Sequence, residues 1–332
     1  MKFSGGLHLS RGKADNYDLT QVTLHSDTLK SALCVAALQL YGNAIDGSFF
    51  DDFRISSAFP FLEKDGQNWY FLPRPKRALN LTVPGIPGKL EAKLLKKIEY
   101  VEYRLLAKLL AAGEAKLPIQ YTNLSKDKNL LCDDLDLSEE KVFDSAAQQH
   151  VHVSRDLNKD NSPYVIDKLH FQENAGLYFL LQDRGDNLDR IKNALEVLRD
   201  SGSGTDKNTG GGFFTYEWED NGFKWPEQTA AKHQLNLSLY CPLQDEVKDL
   251  SDAAYQLTRR GGYITHPENN AHLTARKRSV YMFSEGSVFP YLDDRRGQLK
   301  DLRPKNAVLT SVDVPIVTHP IWRDGQALFL PF

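Results

Sequence analysis

Histidine side chains are the first candidates for chemistry in this sequence, because an imidazole can bind a metal or move a proton near neutral pH. His150 and His152 lie two residues apart, so they share one face of a predicted strand. No cysteine or further histidine accompanies them at the spacing of a metal site, and we interpret the pair as a polar strand face. His25 precedes a predicted helix and could act as a general acid or base. No second residue is clearly placed to complete a catalytic set with it, so we favour a structural or ligand-contact role.

The common catalytic motifs are missing from the chain. It contains no GxSxG, no HExxH and no GGDD sequence. The acidic pairs at 133–134 and 293–294 each lie in a polar stretch, which indicates a solvated loop. We therefore expect no catalytic residues, no metal site and no other cofactor.

A glycine-rich loop, GSGTDKNTGGG at 202–212, lies between a predicted helix and an aromatic strand. In nucleotide-binding folds the phosphate loop precedes its helix, so that the helix N-terminus faces the anion. The order is reversed here, which argues against a nucleotide-binding enzyme. We expect instead a loop packed against an extended ligand, with backbone N–H groups and a lysine facing phosphates; a flexible linker is the alternative. The predicted ligand contacts in this loop are Gly202, Gly204, Lys207, Asn208, Gly210 and Gly212.

Aromatic residues and cations are combined in two nearby stretches, SSAFPF at 56–61 and WYFLPRPKR at 69–77. Aromatic faces and arginines are what single-stranded RNA requires for base stacking and phosphate contact. The alternative is an ordinary sheet edge that ends in a basic surface turn, and core packing accounts for most of these aromatics. Arg155 follows a predicted strand, from where it could bind a phosphate through two parallel hydrogen bonds. The predicted RNA contacts outside the glycine loop are His25, Ser56, Ser57, Phe59, Arg74, Lys76, Arg155, Arg276 and Arg278.

The composition limits the class of protein. A chain of 332 residues with 41% hydrophobic and 26% charged residues is long enough for two ordinary globular domains. Its net charge of −3 argues against a free-standing protein that holds nucleic acid by bulk charge, but is compatible with a local groove or an assembly. With no long apolar run and an alternating N-terminal segment, we expect neither a membrane span nor a signal peptide. Three cysteines, far apart in sequence, indicate a reducing, cytoplasmic setting.

The order of predicted elements indicates an α+β fold. The first half has a strand at 3–9, a helix capped by Ser26 or Asp27, strands at 52–61 and 68–75, a helix at 183–202 and a strand at 212–219. This is the order of a ferredoxin-like module. The second half repeats it less completely. It has strands at 233–241, 276–289 (single, or divided at Gly286) and 325–332, and one helix at 245–262.

We therefore predict two tandem ferredoxin-like (RRM-like) modules, at 1–222 and 228–332, with a helical insertion in the first at about 80–150. The insertion should contain one long helix at 89–113, because its apolar residues form a single stripe. Two further strands, at 150–154 and 176–182, should flank a loop that a ligand could order.

Several short motifs, taken in order, resemble a known family. They are HSDTLKSALC (25–34), ISSAFPF (55–61), YFLPRP (70–75), VHVSRDLN (151–158), GLYFLLQ (176–182), the glycine loop, SVYMFSEGSVF (279–289) and HPIWRDGQALFLPF (319–332). Together they span nearly the whole chain. The sequence resembles the fourth subunit of the type III-A CRISPR (Csm) effector complex, which belongs to the RAMP superfamily of RNA-recognition-like folds.

The resemblance implies a non-catalytic RNA-binding subunit that acts in antiviral defence. Members of the family hold the 5′ repeat-derived tag of the CRISPR guide RNA. They cap the complex next to the large polymerase-like subunit and contact the first backbone RAMP subunit. The alternative within the superfamily is an endoribonuclease that processes repeat RNA with His25 as its acid or base.

The sequence departs from the family pattern at five positions. Thr205 replaces a glycine of the family loop, and Lys207 replaces an arginine, which keeps the charge but loses the two-pronged guanidinium. Asn208 and Thr209 replace two serines of that loop. Lys30 stands where an aromatic residue is common. The resemblance therefore implies a conserved loop role with looser contacts.

Overall fold

The computed structural model describes residues 1–9, 20–113, 115–153, 162–204, 210–220, 223–227, 230–248, 250–264, 276–304 and 319–332. The helices in these ranges are α1 (Ser26–Tyr41), α2 (Gly47–Asp51), α3 (Gly88–Lys97), α4 (Tyr103–Ala111) and α5 (Leu188–Ser201). The strands are β1 (Lys2–Phe3), β2 (Phe53–Ile55), β3 (Phe59–Lys64), β4 (Gln67–Pro73), β5 (Leu81–Thr82), β6 (Tyr100–Glu102), β7 (Leu117–Pro118), β8 (Leu130–Leu131), β9 (Phe143–His152), β10 (Ser162–Phe171), β11 (Ala175–Tyr178), β12 (Leu181–Asp183), β13 (Phe214–Thr215), β14 (His233–Asn236), β15 (Leu257–Arg260), β16 (Val280–Phe283), β17 (Val288–Pro290), β18 (Lys300–Asp301), β19 (Trp322–Arg323) and β20 (Phe329–Pro331). The mixture of helices and paired strands confirms the predicted α+β class.

β1 has a neighbouring strand on each side. Lys2 lies opposite Thr215 of β13, and the Leu177 N–H of β11 donates to the Met1 carbonyl at 3.0 Å. On the far side of β11 and β12 run β3 and β2. α1 and α5 pack side by side against one face of these strands. The apolar residues between them and the strands include Leu29, Leu33, Phe53, Ile55, Leu177, Ile191 and Leu195.

The strand predicted at 68–75 does not take the position beside β1 that the predicted ferredoxin-like order requires. The stretch at 68–75 does form β4, but β4 pairs with the edge of β3 that faces away from β11. The sheet then continues from β4 to β6 and from β6 to β8. β11 and β12 (175–183) occupy the position next to β1 instead. A two-residue turn joins β3 to β4, with positive φ angles of 55° at Asp65 and 73° at Gly66. Such a turn forces the two strands to be immediate neighbours, so β4 cannot lie between β1 and β3.

The single long helix predicted at 89–113 is wrong. The structure divides it into α3 and α4, and β6 lies between them. Tyr100 and Val101 pair with β8. The Glu102 carboxylate accepts the backbone N–H groups of Arg104 and Leu105 at 2.9 and 3.0 Å, which starts a new helix. The apolar spacing is present in α3 and α4, but the stretch at 98–102 is stabilised by pairing with β8 instead of by a continued helix.

In the C-terminal half β14 lies between β17 and β20. The division of 276–289 into two strands at Gly286 is confirmed by β16 and β17. The helix predicted at 245–262 is wrong, because only Asp245–Val247 forms a short 3₁₀ turn and β15 follows it. Pairing of β15 with β16 supplies backbone hydrogen bonds that the apolar spacing alone did not reveal.

The two halves share one core. Leu235 of β14 and Val288 of β17 belong to the same apolar cluster as the residues of β3 and β4. A polar contact adds to this, because the fully buried Lys30 of α1 donates from Nζ to the Phe53 carbonyl at 2.8 Å and to the Gln326 amide oxygen at 2.9 Å. None of the helices in the described ranges is both long enough and apolar enough to cross a membrane.

Candidate nucleic-acid interface

A cleft of about 650 Å³ opens where the start of α1, the chain after β4, the chain after α3 and the β15–β16 hairpin meet. We call it the basic cleft; its lining is Thr23, His25, residues 73–78, Lys96, Ile98, Glu99, Tyr100, Gln256, Leu257, Thr258, Ser284 and Glu285. Its cations (Arg74, Lys76, Arg77 and Lys96) outnumber its carboxylates (Glu99 and Glu285). An excess of one charge in a concave site attracts ligands of the opposite charge, which here means anions. Three of the predicted contacts, His25, Arg74 and Lys76, therefore meet in one site.

The RPKR turn at 74–77 is held in place mainly through its backbone. The Arg74 N–H donates to the Glu99 carbonyl at 2.8 Å, and the Lys76 N–H donates to the Gly286 carbonyl at 2.7 Å. Gly286 has a φ of 79°, and a Cβ at this position would lie 2.3 Å from the Arg74 carbonyl oxygen. Only glycine allows the two chains to approach so closely.

The cations of this turn have different surroundings. Arg74 donates from Nη1 to the Leu95 carbonyl at 2.6 Å, so one side of its guanidinium is hydrogen-bonded to the end of α3. Arg77 is paired with Asp252, whose pKa is lowered by the hydrogen bonds from His233 and Arg77. Lys76 is exposed in the cleft. Of the three, Lys76 is the one best placed to contact a phosphate.

His25 is the residue immediately before α1, where a cap at Ser26 or Asp27 was predicted. Its Nδ1 lies 2.7 Å from Oε1 of Glu285, and the Ser57 hydroxyl donates to the same carboxylate oxygen. The Ser26 N–H in turn donates to the Ser57 hydroxyl at 2.8 Å. The cluster fixes the imidazole through Nδ1 and leaves Nε2 on the far side of the ring from Glu285.

The Glu285 carboxylate is buried beneath the cleft. Burial alone would raise the pKa of this carboxyl, but the charge of His25 and the hydrogen bonds from His25 and Ser57 lower it on balance. An ionised Glu285 orients the imidazole, which suits either a ligand contact or an acid–base role. Sequence reasoning missed Glu285, although it lies in the SVYMFSEGSVF motif.

A partly aromatic strand face adjoins the cleft. Arg259 and Tyr281 are opposite each other in the β15–β16 ladder, and Leu257 lies on the same face. Tyr281 is 65% exposed and Leu257 48% exposed. Such a face can stack an unpaired base on the phenol ring and contact its phosphate through the arginine. Sequence reasoning missed Leu257 and Arg259 because it assigned 245–262 to a helix.

A second set of cations lies at the first turn of α1. The buried carboxylate of Asp27 accepts Arg260 Nε at 2.9 Å and Arg323 Nη1 at 2.7 Å. Burial would raise the pKa of Asp27, but the two guanidinium groups hold it well below its usual range. Desolvation, together with the charge of Arg323, lowers the pKa of nearby Lys277 to about 8.

The RKR stretch at 276–278 precedes β16 and lies outside the lining of the basic cleft. Arg276 stacks on the Tyr263 ring, 4.8 Å from its centroid, and donates to the Tyr263 hydroxyl at 2.7 Å. Arg278 donates to the Asp301 carbonyl. Both side chains are exposed at this edge.

Ser56, Ser57 and Phe59 are fully buried. Ser56 accepts the Leu180 N–H at 2.9 Å, and Phe59 packs in the core of the β3–β4 sheet. Because these side chains are buried, they are not accessible to a ligand. Ser57 acts on the cleft indirectly, through its hydrogen bond to Glu285.

The ends of the glycine loop are packed against the chain that follows β1. The Gly212 N–H donates to the Gly6 carbonyl at 3.0 Å, and the Ser203 N–H donates to the Gly212 carbonyl at 2.9 Å. A Cβ on Gly204 would lie 2.6 Å from the His8 carbonyl oxygen. Gly202 and Gly210 have positive φ angles of 77° and 89°. At these described positions chain-to-chain contact and backbone conformation already account for the glycines.

Other predicted contacts fall elsewhere. Lys207, Asn208 and Arg155 lie outside the described residues. Among the described residues, the structure brings no group of three metal-binding side chains together.

The chain is similar to one protein family along nearly its whole length. Residues 229–332 match the CRISPR Csm4 C-terminal domain. The chain is 26% identical over 314 residues to the Csm4 protein of Mycobacterium tuberculosis (strain CDC 1551 / Oshkosh), covering 93% of this chain and 90% of that protein. It is 24% identical over 274 residues to the Csm4 protein of Thermococcus onnurineus (strain NA1), covering 79% and 80%.

Solved structures share the fold. A chain in the crystal structure of a Csm3–Csm4 subcomplex of a type III-A CRISPR-Cas interference complex superposes with a TM-score of 0.62 at 19% identity, covering 100% of this chain and 99% of that chain. A chain in the crystal structure of a Csm1–Csm4 cassette with cA4 gives a TM-score of 0.55 at 19% identity, covering 99% and 97%. The resemblance found in the sequence motifs is thereby confirmed.

Proposed function

We propose that this chain, which is similar to Csm4 proteins along nearly its whole length, is a non-catalytic CRISPR RNA-binding RAMP subunit of a type III-A effector complex. It holds the 5′ repeat-derived tag of the guide RNA in the cytoplasm. The observation that carries the proposal is the basic cleft, which brings His25 of the first family-like motif together with Arg74 of the YFLPRP motif and the adjoining Lys76.

The RNA path that we propose crosses two surfaces. Lys76 and Lys96 in the basic cleft contact phosphates, and the adjoining face of β15 and β16 stacks a base on Tyr281. Lys207 and Asn208 of the glycine loop and Arg155 add phosphate contacts from the residues outside the described ranges. The weak net charge of the chain fits a subunit whose neighbours supply part of the groove.

We propose that the neighbours are the large polymerase-like subunit and the first backbone RAMP subunit. Support comes from the similar chains, which were solved in a Csm3–Csm4 subcomplex and in a Csm1–Csm4 cassette. The sharing of one core between the two halves suits a rigid cap at the end of such an assembly.

We further propose two ferredoxin-like modules, at 1–222 and 228–332. The first is supported by the order β13, β1, β11 and β3, with α1 and α5 on one face. The second is supported by the central position of β14 and by the start of the family match at residue 229.

The test is reconstitution of the whole effector with a guide that carries either the native tag or a scrambled tag. We expect this chain to crosslink to the native tag, and we expect guide retention to fall when the tag is scrambled. Equal retention of both guides, together with no crosslink from this chain to the tag, would refute the proposal.

A repeat-RNA endoribonuclease is the second candidate, favoured by the Glu285-oriented imidazole of His25 at the edge of the cleft. The chain is incubated with repeat RNA, as wild type and as His25→Ala. Cleavage by the wild type that His25→Ala abolishes would establish the nuclease in place of the non-catalytic subunit. Intact RNA with both proteins would eliminate it.

A further inference from the structure

A narrow crevice lies next to the N-terminal end of β1, in the direction in which β1 would extend if it were longer. β1 has β13 on one side and β11 on the other, with Met1 level with Leu177 and Lys2 level with Thr215. The two flanking segments run on past this level, to Asp183 on one side and to Asp220 on the other. Between them lies a crevice of about 630 Å³, which we call the acidic crevice.

The width of the crevice suits one extended chain. Two strands that flank a third lie about 10 Å apart, twice the usual strand spacing. Within the described residues β12 pairs only with β2, so its other edge faces the crevice. An extended segment in this space could therefore add a strand through backbone hydrogen bonds.

One side of the crevice is apolar. Leu177 faces the helices, so the alternation of a strand places Phe179 and Leu181 on the same side. From the opposite segment Tyr216 and Trp218 face α5, where the Tyr216 hydroxyl donates to Glu196. These four side chains are only partly buried, so they leave apolar surface that an additional strand in the crevice would cover.

The other side is acidic. Glu217 and Glu219 alternate with the aromatic residues of their segment, and Glu63 also lines the crevice. Asp220 lines it from the aromatic side, where its carboxylate accepts the Trp218 indole N–H at 2.9 Å. Lys2 is paired with Glu63 at 2.6 Å, and burial lowers the pKa of the Met1 amino group to about 5, so three carboxylates are in excess at neutral pH. Glu219 accepts hydrogen bonds from Asn68 and Tyr70, so its charge is held in place.

We propose that the acidic crevice binds an extended segment of another protein, in which apolar residues alternate with lysine or arginine. The apolar side chains would pack beside Phe179 and Trp218, and the basic ones would face Glu217 and Glu219. The acidic lining repels phosphates, so the occupant is a polypeptide and not RNA. This inference goes beyond the RNA-binding function and does not depend on it.

The probe is a dye-labelled peptide, acetyl-Lys-Val-Lys-Val-Lys-Val-amide, titrated with the full chain and followed by fluorescence anisotropy. The first control has the same residues in two blocks, Lys-Lys-Lys-Val-Val-Val, and the second replaces lysine with glutamate. We expect the alternating basic peptide to bind more tightly than either control. Equal binding of all three peptides would overturn the proposal.

A charge reversal locates the binding. Glu217→Lys should weaken the alternating peptide about fivefold, the effect of losing an exposed charge pair. Glu139→Lys reverses an exposed carboxylate outside the crevice and should leave binding unchanged. Equal affinities of the two variants would contradict the assignment, and so would displacement of the peptide by a single-stranded RNA. Thermal melting of both variants verifies that they are folded.

Hydrogen exchange distinguishes an added strand from loose side-chain binding. The amides of Phe179 and Leu181 should exchange more slowly when the peptide is bound, because they lie on the edge that an added strand would pair with, whereas the Leu180 amide already donates to Ser56 and should not change. Binding without slower exchange there would exclude strand addition.

Discussion

The basic cleft and the acidic crevice have similar volumes, about 650 and about 630 Å³, but opposite charge. The cleft gathers side chains from both halves of the fold, whereas every residue that lines the crevice lies within 1–223. The net charge of −3 is therefore a sum over a basic surface and an acidic surface, which suit different partners. Composition excluded only a protein with uniform positive charge.

The largest expected effect tests whether the cleft depends on contacts between the halves. Asp27→Ala leaves Arg260 and Arg323 partly buried without their carboxylate, and it should lower the free energy of unfolding by about 3–5 kcal/mol. The control is Asp189→Ala, which removes an exposed acidic residue from the first turn of α5 and should change it by less than about 1 kcal/mol. Urea unfolding measures both. Equal losses would show that the Asp27 cluster contributes nothing specific.

A smaller effect should separate the cleft from the crevice. Gly286→Ala places a Cβ against the Arg74 carbonyl at a positive φ, and it should cost about 1–3 kcal/mol and reduce guide RNA retention. Peptide binding in the acidic crevice should not change. Gly85→Ala is the matched control, because Gly85 has a φ of 85° but no atom near its Cβ position. If Gly85→Ala were equally destabilising, backbone strain alone would explain the result.

Acid should weaken the protein partly through the cleft. The pKa of Glu285 is lowered in the folded state, so its contribution to stability is present above the ordinary glutamate pKa. That contribution is lost as the pH falls through the lowered value. Urea unfolding of the wild type and Glu285→Gln between pH 3 and about pH 7 should show the smaller loss on acidification in the variant. If the free energy of unfolding fell equally with pH in the wild type and in Glu285→Gln, Glu285 would not contribute to the loss of stability in acid.

The smallest effect concerns one phosphate contact. Lys96→Ala should make guide binding less dependent on salt by about 0.7 in the log–log slope, whereas Lys97→Ala, outside the cleft lining, should not. Guide retention by the reconstituted effector at several salt concentrations measures the difference. A slope change that is the same for both lysines would indicate general rather than local attraction.

The sequence predicted the parts of the fold that depend on local patterns. α1 and α5 follow apolar spacing, and the division of 276–289 at Gly286 follows from a turn residue. The errors at 89–113 and 245–262 have a common cause, because helical spacing of apolar residues also occurs in segments that pair with a distant strand. Sheet partners of this kind are not visible in a local window.

The candidate site was predicted in the same partial way. Arg74 and Lys76 were found because the RPKR turn is basic in the sequence itself. Glu285 and Tyr281 were missed because their importance comes from contacts with residues more than 20 positions away. The buried serines were chosen from a motif, and the structure places them beneath the surface.

The position of Lys30 has a consequence for synthesis of the protein. Two of its three acceptors, Asp324 and Gln326, belong to the last stretch of the chain, and only the Phe53 carbonyl belongs to the first half. A nascent N-terminal half cannot bury this ammonium with its full set of partners until residues 324–326 have left the ribosome. The order of translation therefore places closure of the core around Lys30 after the synthesis of Asp324, 294 positions further along the chain.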